Sequence, residues 1–173
     1  GCRWRARRCR RSGGRAHRLA TSHPSTKEAR AAQGESLAKA WRQKHGFNSN
    51  NPRMMATKQI DGDSIEVTPM IYACLLGDLE MCRFHFTHGA AEDIRTVGSE
   101  GCTPMHFACK SGHLSLCEWL FKMGATEDIR MANNYGTTPL ILASDEEHPS
   151  VQHWLILNGA LLPTSDAHTD PDI

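Results

Sequence analysis

Residues 101–109 read Gly101-Cys102-Thr103-Pro104-Met105-His106-Phe107-Ala108-Cys109, followed by Gly112-His113-Leu114 and closed by Gly124-Ala125. Their landmarks recur at a fixed interval. Thr-Pro stands at Thr68-Pro69, Thr103-Pro104 and Thr138-Pro139, and Gly-Ala at Gly89-Ala90, Gly124-Ala125 and Gly159-Ala160, both with a period of 35 residues. Two unrelated landmarks that keep one register three times over are the signature of a stacked repeat array.

The middle unit shows what each repeat folds into. Thr103 is a good N-cap, and Pro104 at the first helical position needs no N–H and brings its φ preset. A helix is expected through Met105, Phe107, Ala108 and Cys109 to Ser111, where Gly112 breaks it and permits a tight turn. A second helix starts near Leu114, with Leu114, Leu116, Cys117, Leu120 and Phe121 as a wide apolar stripe, and Gly124 ends it. Residues 128–136 are too polar and turn-rich for a helix and read as an extended loop or hairpin. Two such short helices cannot bury both faces alone, so the units must stack.

The combined pattern resembles the ankyrin repeat, whose motif is G-x-T-P-L-H-x-A-A, then G-H-L, then L-L-x-x-G-A. The resemblance covers about residues 61–173. It implies an all-α ankyrin-repeat solenoid of helix-turn-helix units with hairpin-like loops, preceded by a disordered basic N-terminal segment. The expected division is a leader over 1–53, a lead-in segment over 54–67, repeats over 68–102 and 103–137, a partial capping repeat over 138–160 and an acidic tail over 161–173. The period of 35 exceeds the usual ~33 and implies slightly longer fingers. The outer repeats depart from the motif. Ile71 stands in place of His106, Glu66 in place of Gly101, and His85 on the stripe where Leu120 and Leu155 sit. Glu147 replaces the turn glycine and Pro149 the stripe leucine, which predicts a wider or strained turn there.

The net charge of +1 hides an asymmetry: residues 1–53 carry 14 Lys/Arg against 2 Asp/Glu, leaving 6 against 17 for residues 54–173. Arg3, Arg5, Arg7, Arg8, Arg10 and Arg11 crowd the start, and such a run repels itself and has little apolar surface to bury. It fits phosphate neutralisation on nucleic acid, a nuclear-import patch or a transit peptide. Translation from Met54 or Met55 would leave it outside the protein. A helix over 26–45 is suggested by the capping-box spacing of Ser25 and Glu28, but its face of Leu37, Ala40, Trp41 and Lys44 is narrow. That predicts a marginal helix with no packing partner, and residues 46–53 then read as a linker.

His106, Cys109 and His113 invite a catalytic reading, but repeat caps, turns and packing account for all three. His85 and His88 lack further ligands at metal-site spacing. No cofactor or metal is expected. Of seven cysteines, Cys74 and Cys109, and Cys82 and Cys117, are 35 apart, as small packed residues in a reducing, intracellular compartment would be. No stretch approaches the ~18 apolar residues of a membrane span. Asp93-Ile94-Arg95 and Asp128-Ile129-Arg130 are equivalent, which predicts an Asp/Arg ladder between repeats with Ile inside.

By the resemblance, partners meet the finger tips and the concave faces of the first helices. The residues there that fail to repeat are Leu75, Leu76, Lys110, Ser111, Asp145 and Glu146 on the helices, and Thr96, Val97, Ser99, Glu100, Met131, Asn133, Asn134 and Tyr135 in the fingers. The expected function is a non-enzymatic protein–protein interaction module. Its partner is another protein, with a basic segment favoured by the acidic array. The alternatives are a nucleic-acid-associated protein using the Arg-rich leader, or accessory repeats of a larger enzyme or channel.

Overall fold

Each Thr-Pro pair starts a helix by the same means. In the computed structural model, which describes residues 27–47, 51 and 53–160, the three inner helices are α2 (Pro69–Leu76), α4 (Pro104–Lys110) and α6 (Pro139–Asp145). Thr68 Oγ1 accepts from Ile71 N at 3.2 Å and Thr138 Oγ1 from Ile141 N at 3.4 Å. The outer helices α3 (Leu79–Thr87), α5 (Leu114–Lys122) and α7 (Pro149–Leu157) follow after tight turns. All three turns close with one hydrogen bond of 2.9 Å: Asp78 N to Ala73 O, His113 N to Ala108 O and His148 N to Ala143 O. The third turn is therefore no wider than the others. Glu147 enters the left-handed region (φ 57°) to keep it, where glycine stands in the first two. The predicted strain is real and the predicted widening is not. Glycine is needed at Gly77 and Gly112 for a second reason: a Cβ on either would lie 2.6 Å from the next unit's histidine ring, His113 or His148.

Stacking α2 on α4 on α6 encloses one apolar interior, with Met70, Met105, Leu116, Leu120, Leu140, Val151 and Leu155 buried. An aromatic column runs down the outer layer, Phe86 on Trp119 at 5.6 Å and Phe121 on Trp154 at 5.5 Å. The paired cysteines fill the helix-pair interior as free thiols, Cys74 3.5 Å from Cys82 and Cys109 3.6 Å from Cys117. Burial raises the pKa of Cys109, and the thiol partner together with burial raises that of Cys74.

Between units the chain makes a 3-10 turn, Ala91–Arg95 and Glu127–Arg130, before each finger, so the loop expected over 128–136 begins helically. The segment ahead of α2 is an antiparallel hairpin, β1 (Ala56–Ile60) and β2 (Asp63–Val67), paired from Ala56↔Val67 to Ile60↔Asp63. Counting the hairpin as the first finger, residues 96–102 as the second and residues 131–137 as the third, the three are joined edge to edge. Glu66 N donates to Ser99 Oγ at 3.2 Å, and Asn134 N to Glu100 O at 3.0 Å.

Helix α1 (Lys27–Lys44) corrects the expectation of an unpacked leader helix and a free linker. It packs on α3 with Ala38 and Arg42 buried. Trp41 meets His85 at 5.9 Å and Tyr72 at 6.3 Å. Phe47, in the expected linker, is buried with Ile60, Val67 and Ile71. The physical reason lies in the sequence around Gly46, which is left-handed like Gly89 and Gly124. Aligned on these glycines, Ala38, Trp41 and Arg42 take the places of Met81, Phe84 and His85, and of Leu116, Trp119 and Leu120. The end of α1 is thus an outer helix without its inner partner. The Arg-rich run and its proposed disorder, Ser25 and the acidic tail lie outside the described residues. No helix among those described is long and apolar enough to cross a membrane.

Candidate protein-interaction surface

The finger row and the ends of the inner helices form one open surface. It holds a cavity of about 240 Å³ between the second and third fingers. Glu100, Lys110, Asn133 and Tyr135 line it, all four singled out by their failure to repeat. Tyr135 is 73 % exposed and lies 3.5 Å from Glu100 Oε1 through its hydroxyl. The Glu100 carboxylate raises the Tyr135 pKa. Lys110, at the end of α4, pairs with Asp61 at the hairpin tip. Asn133 shapes the third finger: its Oδ1 accepts from Tyr135 N at 3.0 Å and Thr137 N at 2.9 Å, and its Nδ2 reaches Cys102 Sγ at 3.2 Å.

The other candidates do not converge on this cavity. Thr96, Val97 and Met131 lie along the fingers, with Val97 and Met131 exposed. Asn134 is exposed, but its backbone N–H and Nδ2 both bond the second finger, the latter to Ser99 O at 3.3 Å. Leu75 is half-buried against the hairpin cluster, while Leu76 is exposed at the end of α2. Ser111 caps α4 and is half-buried, and Asp145 and Glu146 are exposed at the end of α6. Arg3, Arg5, Arg7, Arg8, Arg10 and Arg11 lie outside the described residues.

Sequence reasoning missed Asp61 and Ile65, which the hairpin brings to this surface. The alternation of Ala56–Ile60 and Asp63–Val67 around Asp61-Gly62 was the available signal, since Asp-Gly between short strands favours a hairpin turn.

The buried histidines serve the scaffold. His106 Nδ1 accepts from Thr103 N at 3.1 Å and lies 2.9 Å from Thr103 Oγ1, which makes His106 the third-position partner of a capping box. Burial pushes its pKa down to about 4, against a smaller pull upward from the backbone of Thr137 and Met131. His85 is fully buried with neither ring nitrogen hydrogen-bonded. Burial, reinforced by the Arg42 guanidinium, lowers its pKa to about 4. Among the described residues no group of three or more His, Cys, Asp or Glu side chains could hold a metal ion.

The comparisons agree with the geometry. A family model described as "Ankyrin repeats (3 copies)" matches residues 31–131 and again residues 70–166. The first match begins inside α1, in keeping with the packing of that helix. A comparison with curated proteins finds no match. The helix pairs, the capped Thr-Pro starts, the finger row and a family match over most of the chain lead to one conclusion: the chain belongs to the ankyrin repeat family.

Proposed function

We propose that the chain is a non-enzymatic protein-binding module that takes a basic partner segment along its finger row and inner-helix ends. The observation that carries this is the convergence of Glu100, Lys110, Asn133 and Tyr135 on one cavity of about 240 Å³. These residues differ from unit to unit while the surrounding scaffold repeats. Tyr135 offers a large, rigid, amphipathic side chain of the kind that anchors interfaces. Exposed Asp63, Glu66, Asp145 and Glu146, beyond the Asp61–Lys110 pair, give the surface a negative field that suits a cationic segment. The experiment is photo-crosslinking in cells from a benzoylphenylalanine at position 135, with position 122 on an outer helix as control. A discrete partner captured from 135 and not from 122 supports the proposal. Equal capture from both positions, or none from 135, contradicts it.

The charge asymmetry favours one further reading, in which the eight arginines of residues 1–26 hold nucleic acid while the repeats dock a protein. A salt-dependent gel shift of DNA or RNA by the full chain, lost on removal of residues 1–26, is its expected result. Truncation at 53 is unsuitable, because it also removes α1 and Arg53 from the array.

A further inference from the structure

Three arginines hold similar places in successive units and do not end alike. Arg53 donates from Nε to Asp93 Oδ1 at 2.8 Å and from Nη1 to Glu92 Oε2 at 2.8 Å. Arg95 repeats this one unit on, with Nε 3.0 Å from Asp128 Oδ1 and Nη2 3.2 Å from Glu127 Oε2. Arg130 is exposed, and no carboxylate among the described residues pairs with it. Its Nε donates to Gly159 O at 2.7 Å, so the seat of the Asp is taken by a backbone carbonyl, and no carboxylate among the described residues takes the seat of the Glu. The guanidinium folds over Gly159, its Nη2 2.5 Å from where a Cβ would lie, whereas the equivalent Gly124 beside the filled Arg95 rung has nothing within 4 Å. A neutral acceptor has replaced a charge-assisted pair.

A cavity of about 410 Å³ beside Arg130 is lined by Phe121, Thr126, Glu127, Ile129 and Asn158, with Ile129 itself buried and Glu127 held by Arg95. The aromatic column ends at this end of the stack. Phe86 and Phe121 each carry the next unit's tryptophan, while Ile156, next in that register, is 48 % exposed. Where Glu92-Asp93-Ile94 and Glu127-Asp128-Ile129 stand, the following register reads Leu162-Pro163-Thr164 and supplies no acid.

We propose that Arg130, beside the half-buried Phe121 ring, is a docking site for an acidic segment of a protein partner. The segment presents a carboxylate to the Nη edge, as Glu127 does to Arg95. The chain itself contains this recognition twice, and that fixes the chemistry of the third occupant. The site lies at the C-terminal end of the stack and is independent of the finger cavity.

The probe is the acetylated, amidated peptide Ala-Thr-Glu-Asp-Ile, the chain's own residues 125–129. It is titrated into the full ¹⁵N-labelled chain while the arginine Nε resonances are followed. The Arg130 Nε resonance, assigned by its absence in Arg130→Lys, shifts saturably while that of Arg95 stays in place. Replacing Glu-Asp in the peptide by Gln-Asn weakens binding at least tenfold. A non-saturating response, an equal response to the neutral peptide, or equal movement of Arg95 overturns the proposal. So does an Arg130 shift caused, without peptide, by Asp166→Asn, Asp170→Asn and Asp172→Asn together, since that assigns the seat to the chain's own tail.

Discussion

His85 is the residue at which this chain departs furthest from its own pattern. Its register carries Leu120 and Leu155 in the next two units, and its imidazole is buried with both nitrogens unsatisfied. Leaving such groups without partners costs on the order of 1–3 kcal/mol. Replacing the ring by the register's own side chain, His85→Leu, is therefore expected to raise stability by about 1–2 kcal/mol in urea denaturation; a loss would show that the ring makes a bond the packing does not reveal. His85 and His106 together set the acid response. Both have folded pKa values near 4, below the ordinary value of about 6.5, so the unfolded chain binds the protons first. Stability is then lost as pH falls from about 6.5 towards 4, by up to about 3 kcal/mol per histidine. Asp93 and Asp128 act with the opposite sign, because burial raises their pKa values and protonation relieves that cost. His85→Leu should remove roughly half of the histidine-driven loss, which denaturation at pH 7 and pH 5 would measure.

At the scale of elements, the arginine ladder and α1 have the same job, joining one unit to the next. The rungs are unequal. Asp128 is fully buried and its Oδ2 has no hydrogen bond, so Arg95 is its compensation. Arg95→Ala leaves that buried carboxylate unpaired and is expected to lower the melting temperature more than Arg130→Ala does. Arg130→Ala removes one bond to a carbonyl and should cost about 1 kcal/mol or less. Equal losses in thermal melts of the two variants would contradict the unequal rungs. The ladder was legible from two copies of Asp-Ile-Arg, but its first rung was not, because Arg53 belongs to no such copy. The half-repeat in α1 escaped notice for a related reason. From Gly46 to Thr68 there are 22 residues, against 14 from Gly89 to Thr103 and from Gly124 to Thr138, so the longer hairpin shifts it out of the 35-residue register. Cationic Arg42 on the stripe hid it further, since a period search looks for apolar residues there.

For the molecule as a whole, the packing of α1 makes the array begin before Met54. Removing residues 1–53 strips Trp41 and Phe47 from the first unit, exposes His85 and unpairs Asp93. Removing residues 1–26 leaves Trp41, Phe47 and Arg53 in the chain. The shorter truncation is expected to melt like the full chain, and the longer one to melt at least 10 °C lower or without a cooperative transition, a loss of several kcal/mol in a small domain. Coincident melts would mean that α1 is an ornament. The candidate surface divides along the same line between repeated and unrepeated residues. Repetition identified the scaffold because stacking imposes it on every unit. The surface residues were legible only as the positions that escape that constraint, and their assembly round one cavity needed the hairpin and the finger-to-finger bonds, which no spacing reveals. We propose that recognition resides in these unrepeated residues. This is tested most directly by the double variant Glu100→Ala, Tyr135→Ala, with melting and partner co-precipitation measured on the same protein. The prediction is a melting temperature within about 2 °C of the parent, since surface changes rarely exceed 0.5 kcal/mol, together with at least a tenfold loss of the partner that position 135 crosslinks. Undiminished co-precipitation, or a collapse of the melt, would contradict it.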